Sequence, residues 1–254
     1  MTLIDDQRVR ELAAGFGVPP AVAGQLMAHT RPCVYLVPLD EVPPSLRDRT
    51  RPAARSGGLP ALPEGTDWPA GKEPLILSID CAALPRDALD IRIPPDGHLL
   101  VFSDIEYPPD SSAVLHVPAG TPTREHDGTY EIDGDPTQVT VYEPRTLYPV
   151  AGLTVDEDWR DGTPFDDAAD GVLDRFEEAV LAAASGGTRP GVCVQLGGFS
   201  DPWDMPPDEG DLVLLAQVHG QAVDYEVFTL NLIVGSRQDI ADGRYDLLQY
   251  EQQC

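Results

Sequence analysis

Lysine is almost missing from this chain: Lys72 stands alone among seventeen bases, which face forty-three acids for a formal charge of −26 over 254 residues. That balance excludes direct nucleic-acid binding, which needs basic side chains to neutralise phosphates, and it disfavours anionic membrane surfaces. No run approaches the roughly 18 consecutive apolar residues of a membrane span. The start, MTLIDDQRVREL, lacks the basic segment and apolar core of an export signal, so a soluble, cytoplasmic protein is expected. Cysteine is scarce and unpaired: Cys33, Cys81, Cys193 and Cys254 form no CxxC pair, and their spacing matches neither a zinc ribbon nor a small disulfide scaffold. The first three sit in strand-like runs and read as buried free thiols. No HExxH and no Walker motif occurs, and the five histidines are scattered.

What is present is an apolar fraction of 42%, enough for a sizeable core. Val9, Leu12, Ala13 and Phe16 recur at helical spacing over residues 3–16, with Gly17 as a stop. Pro19-Pro20 opens a second short helix through Val22, Leu26 and Met27. A third helix is predicted over 166–184, with Val172, Leu173, Phe176 and Val180 on one face and Gly186-Gly187 as its close. Elsewhere the pattern is β: strands are predicted at 33–39, 75–80, 99–103, 113–117, 192–196, 212–218 and 227–234. Tyr130–Ile132 and Gln138–Tyr142 read as a hairpin around Asp133-Gly134. Twenty-six prolines keep these strands short.

Two stretches resemble each other. RSGGLPALPEGTDWP places Gly57-Gly58, Pro60 and Trp68 before the strand LILSID, which ends at Asp80. QLGGFSDPWDMP places Gly197-Gly198 and Trp203 before LLAQVH, which ends at His219. A further apolar strand follows in each case. A phosphate loop is excluded at Gly57-Gly58, because prolines remove amide donors and no helix follows. The glycines read instead as corners where the chain needs positive φ or close approach. The expected architecture is mainly β (α+β): antiparallel sheets duplicated internally about a pseudo-two-fold, with N-terminal helices over 1–31 and a duplicated body over 32–254, its halves near 32–150 and 151–254.

The order SGGLPALP, Trp-Pro, LILSID and DGHLLVF is similar to the YwqG-like family, a bacterial domain of unknown function. Leu196-Gly197-Gly198-Phe199, LLAQV and the closing DIADGRYD resemble it too. Ser78, where the family tends to carry Gln, and His219-Gly220 depart from its pattern. The resemblance implies a duplicated β fold and no established activity.

For chemistry, Gly198-Phe199-Ser200-Asp201-Pro202 starts like a nucleophile elbow but ends in proline rather than glycine. Asp156–Asp167 has Arg160 and Asp161 where a calcium loop needs an oxygen ligand and a glycine, so neither it nor the acidic run Asp201–Asp211 is read as a metal site, and no cofactor is expected. His219, with Asp80 at the matching strand end and Asp224 nearby, is the candidate catalytic group for a hydrolase working in a cleft between the halves. Trp68, Trp203 and Tyr225 are candidate lining for a small-molecule sensor. The leading reading, which the charge favours, is a non-enzymatic binding protein drawn to a basic partner or toxin, with the hydrolase and the sensor as its alternatives.

Overall fold

Helix α1 (Asp6–Phe16) begins where the Asp5 carboxylate accepts the Arg8 N–H at 2.7 Å, and ends at Gly17, whose φ of 72° turns the chain out. Helix α2 (Pro20–Ala28) starts on a proline whose missing donor costs nothing at the first helical position. The computed structural model describes residues 3–109, 111–162, 170–187, 189–191 and 194–254. A third helix, α3 (Asp170–Ala184), supplies Leu173, Phe176 and Val180 to a cluster with Val9, Val22, Leu26 and Trp159. The predicted start of this helix at 166–169 lies outside the described residues.

Among the described residues, fourteen strands follow α2. They are β1 (Thr30–Val37), β2 (Ala54–Ser56), β3 (Ala61–Pro63), β4 (Leu75–Asp80), β5 (His98–Phe102), β6 (Ala113–Val117), β7 (Thr123–Glu125), β8 (Thr129–Ile132), β9 (Asp135–Gln138) and β10 (Arg145–Val155). After α3 come β11 (Val194–Leu196), β12 (Leu212–His219), β13 (Leu230–Ser236), the short helix α4 (Arg237–Asp242) and β14 (Gln249–Gln253). Ten form one antiparallel sheet in the order β14-β13-β12-β11-β1-β10-β2-β4-β5-β6, while β3-β7 and β8-β9 make two small ones.

That order reads the same from both ends. The central pair β1 and β10 runs antiparallel from Thr30↔Val155 to Val37↔Tyr148. On either side stand β2 and β11, then β4 and β12, β5 and β13, β6 and β14. The equivalence reaches single bonds. The Gly57 N–H donates to Ile76 O at 3.1 Å, and the Gly197 N–H to Leu215 O at 3.3 Å. Ile76 and Leu215 each sit at a register shift, and a 3₁₀ turn follows each strand at Cys81–Ala83 and Gly220–Ala222. Gly57 has φ 65°, and a Cβ there would stand 2.9 Å from the carbonyl oxygens of Tyr142 and Glu143, so the corner takes no other residue.

The sheet curls so that one face of both halves shares a core: Ile79, Leu99 and Val101 from one side meet Leu196, Leu215 and Ala216 from the other. The opposite faces bury separate clusters, Leu75, Leu100 and Phe102 in one half and Leu214, Leu230 and Leu232 in the other. Cys33 and Cys81 are buried free thiols; burial pushes them up to about 12 and about 11. Cys193 lies outside the described residues, and Cys254 is exposed.

Two sequence expectations need correction. The hairpin turns at Asp133-Gly134 (φ 54° and 90°), but its second strand is Asp135–Gln138, not Gln138–Tyr142. A two-residue turn fixes the register immediately after the glycine, and Val139 and Tyr142 are then free to be buried. Strand β10 was not expected at all, because Pro149 interrupts it. Here the proline is harmless. The Asp156 N–H bonds His29 O, which makes Leu36↔Pro149 and Pro32↔Leu153 the non-hydrogen-bonded pairs of the ladder. Both proline nitrogens therefore point away from the central pair, beyond the ends of the short strands β2 and β11.

Candidate functional site

The chain leaves β11 through Gly197 and Gly198, both at positive φ, and a Cβ on Gly198 would collide with Thr154 Oγ1 and lie 3.0 Å from Cys33 Cβ. The loop that follows is held by three buried glutamines. Gln195 Nε2 donates to the carbonyls of Gly197 (2.9 Å) and Phe199 (2.8 Å). Gln217 Oε1 accepts the Asp201 N–H at 2.9 Å. Gln253 accepts the N–H groups of Trp203 (2.7 Å) and Asp204 (3.2 Å) and donates to Met205 O (3.1 Å). Each glutamine lies in a strand of the sheet, so the loop is fixed to rigid elements at every second or third residue.

Beneath this loop, on the outer face of the second half, is a pocket of about 270 Å³ floored by Tyr35, Gln195, Gln217 and His219 and walled by Glu178, Arg189 and Asp201. His219 Nε2 lies 3.3 Å from Gln217 Nε2, and its ring lies 6.1 Å from that of Trp203. Because the Gln217 oxygen is taken by Asp201, its nitrogen faces His219 as a donor, and Nε2 must accept; this assigns the proton to Nδ1. Burial lowers the His219 pKa, with Asp201 acting against it, so the ring is neutral at pH 7. Burial also disfavours the Arg189 cation, but Tyr35, Asp201 and Glu178 outweigh that and raise its pKa. Its ion pairs to Glu178 and Asp201 are loose, 3.7 and 3.9 Å.

The pocket adjoins a groove of about 600 Å³ that shares Arg189 and Asp201 with it. Seven carboxylates and two arginines line that groove. Arg31 stacks over the Phe199 ring at 3.8 Å. Asp156 is occupied by the Asp158 N–H, Asp208 by Ser200, and Glu177 by Trp159 and Arg160. Glu157, Asp158, Asp201 and Glu209 are exposed to solvent. Among the described residues no group of three or more His, Cys, Asp or Glu side chains is placed to hold a metal ion.

The structure brings Trp203 to His219 and does not bring Asp80 there. Asp80 lines a different cavity, of about 660 Å³, on the outer face of the first half, at the strand position equivalent to His219. Its carboxylate caps the 3₁₀ turn that follows by accepting the Ala82 N–H at 3.0 Å. Asp224 likewise closes a turn, on the Glu226 N–H at 3.0 Å. Tyr225 is exposed beneath the Arg145 guanidinium, 3.7 Å from its ring, in a third pocket with Leu36 and Gln221. Trp68 packs edge-on against Phe102 at 5.3 Å and donates Nε1 to Glu73 O at 3.0 Å. Pro60 follows the Gly57-Gly58 corner; its carbonyl accepts the His126 N–H at 3.1 Å. Gln195, Gln217, Gln253, Tyr35 and Arg189 were not singled out from the sequence. The signal was there for two of them: a glutamine amid apolar strand residues is a buried amide that needs partners.

A family model described as "Domain of unknown function (DUF1963)" matches residues 54–254. No curated protein matches the chain.

Proposed function

From the premise that the chain belongs to the DUF1963 family, whose description assigns no activity, we propose that it is a non-enzymatic binding protein whose acidic groove receives a basic segment of another protein. The order of its glycine-pair and strand motifs supports placing it, within that family, among YwqG-like members. The observation that carries the reading is the groove itself: seven carboxylates against two arginines, four of the acids exposed. Exposed carboxylates suit a lysine or arginine side chain, which they bind by charge-assisted hydrogen bonds. A field of this sign also speeds encounter with cationic partners. The hydrolase reading draws less support. His219 is bonded to an amide, and neither Asp80 nor Asp224 stands beside it to orient it as a base.

Calorimetry with an Arg/Lys-rich peptide tests this. Binding is expected at 50 mM NaCl and is expected to weaken about tenfold or more at 300 mM. The triple variant Glu157→Gln, Asp158→Asn, Glu209→Gln should weaken it by a similar factor. No binding, or equal binding by the triple variant, overturns the assignment of the groove.

A further inference from the structure

The cavity of the first half occupies the place that the His219 pocket occupies in the second, yet it is more than twice as large, about 660 against 270 Å³. The register says why. Gln195 pairs with Gln217 across β11 and β12, and Arg55 pairs with Ser78 across β2 and β4. In the second half, the long Gln217 side chain crosses the outer face and ties down the loop above it. Ser78 is too short to do so, and the space stays open.

The groups left around that space are of opposite charge. Arg55 Nη2 donates to the Leu59 carbonyl at 2.6 Å, and no carboxylate pairs with this guanidinium among the described residues. Asp80 uses one oxygen on the Ala82 N–H; the other has no partner among the described residues. Asp80 lies two residues beyond Ser78 on β4, so its backbone stands diagonal to that of Arg55, about 7 Å away across neighbouring strands. Ala53, Leu100 and Val117 give the lining an aliphatic part, and the exposed Asp96 and His98 and the threonines Thr121 and Thr123 complete it.

We propose that this cavity binds a small aliphatic zwitterion of the α-amino acid class. Its carboxylate meets Arg55, its ammonium meets Asp80, and its apolar side chain lies over Leu100 and Val117. Arg suits the carboxylate because its planar fork presents paired donors. A zwitterion satisfies both half-buried charges at once, whereas a ligand with a single charge leaves one of them facing apolar surface. The site is separate from the acidic groove and does not depend on what the groove binds.

The test is calorimetry of the whole chain with the aliphatic α-amino acids. The controls are the matching carboxylic acids and amines, which lack one of the two charges. At least one zwitterion is expected to bind with a dissociation constant below about 1 mM. Arg55→Gln and Asp80→Asn should each weaken it about tenfold or more. Ser78→Gln, which installs the residue that β12 carries at the same position, should also abolish binding by refilling the space, and its fold is checked by thermal denaturation. His219→Ala, in the other half, should leave binding unchanged. Absence of heat from every zwitterion, equal binding of the single-charge analogues, or full binding by Ser78→Gln overturns the proposal.

Discussion

Gln217 takes the Asp201 N–H on its oxygen and therefore turns a donor toward His219. A protonated imidazole would place a second donor against that nitrogen, in a site where burial already disfavours charge. The sign of the pH effect follows. The folded pKa lies below the unfolded value of about 6.5, so between the two the unfolded chain binds more protons. The contribution of neutral His219 to stability is thus fully present above about pH 6.5 and declines as pH falls toward the folded pKa. The melting temperature of the native chain should therefore drop more steeply between pH 7 and pH 5 than that of His219→Gln, which cannot titrate. Parallel curves would show that the ring carries no such penalty. His219 was legible in the sequence because it ends an apolar strand where the other half has an acid. Its amide partner was not, because spacing says nothing about which way a glutamine in a strand points or what it reaches.

At the level of elements, the loop after Gly198 is fixed by the end of β14 as well as by β12. Gln253, buried in that strand, makes three bonds to the backbone of Trp203, Asp204 and Met205. Gln253→Ala leaves two N–H groups and a carbonyl to find water, and costs about 1–3 kcal/mol on removal of a buried partner. Urea denaturation measures that loss. Hydrogen exchange at the Trp203 and Asp204 amides should quicken by about tenfold or more, with the β12 amides little changed. Uniform acceleration throughout the sheet would mean that Gln253 supports the global fold rather than this loop. The same contrast explains which elements the sequence disclosed. Strands β4 and β6 fall within the expected residues because uninterrupted apolar or β-branched runs write them. Strand β10 was hidden, although it is central, because a proline is tolerated wherever its nitrogen faces no neighbour, and that depends on the ladder's phase and on where β2 stops. The pairing of β2 with β10 joins segments far apart in the chain, and no local pattern records it.

On the scale of the whole molecule, the shared core and the charge pull in opposite directions. The inner faces of both half-sheets bury one cluster, so the halves are stabilised together and the favourable term is apolar burial, which salt at moderate concentration changes little. The electrostatic term is unfavourable: a formal charge of −26 is confined to one folded body and relaxes when the chain expands. Local ion pairs act against this repulsion. Among the described residues, Arg160 with Asp174 and Glu177 at 2.7 and 3.0 Å, Arg237 with Asp90 at 2.9 Å, and Arg244 with Asp239 are the well-formed ones, and most of these groups are partly or largely in solvent, where such a pair contributes up to about 1 kcal/mol. Repulsion summed over twenty-six excess charges therefore outweighs them. Raising salt from about 0.01 M to 0.15 M shortens the screening length from about 30 Å to about 8 Å, which removes the long-range repulsion and leaves contacts at about 3 Å largely intact. The melting temperature at pH 7 should rise by several degrees over that range, equally in NaCl and KCl. A fall would mean that the ion pairs dominate. A rise confined to one of the two salts would point instead to a bound cation.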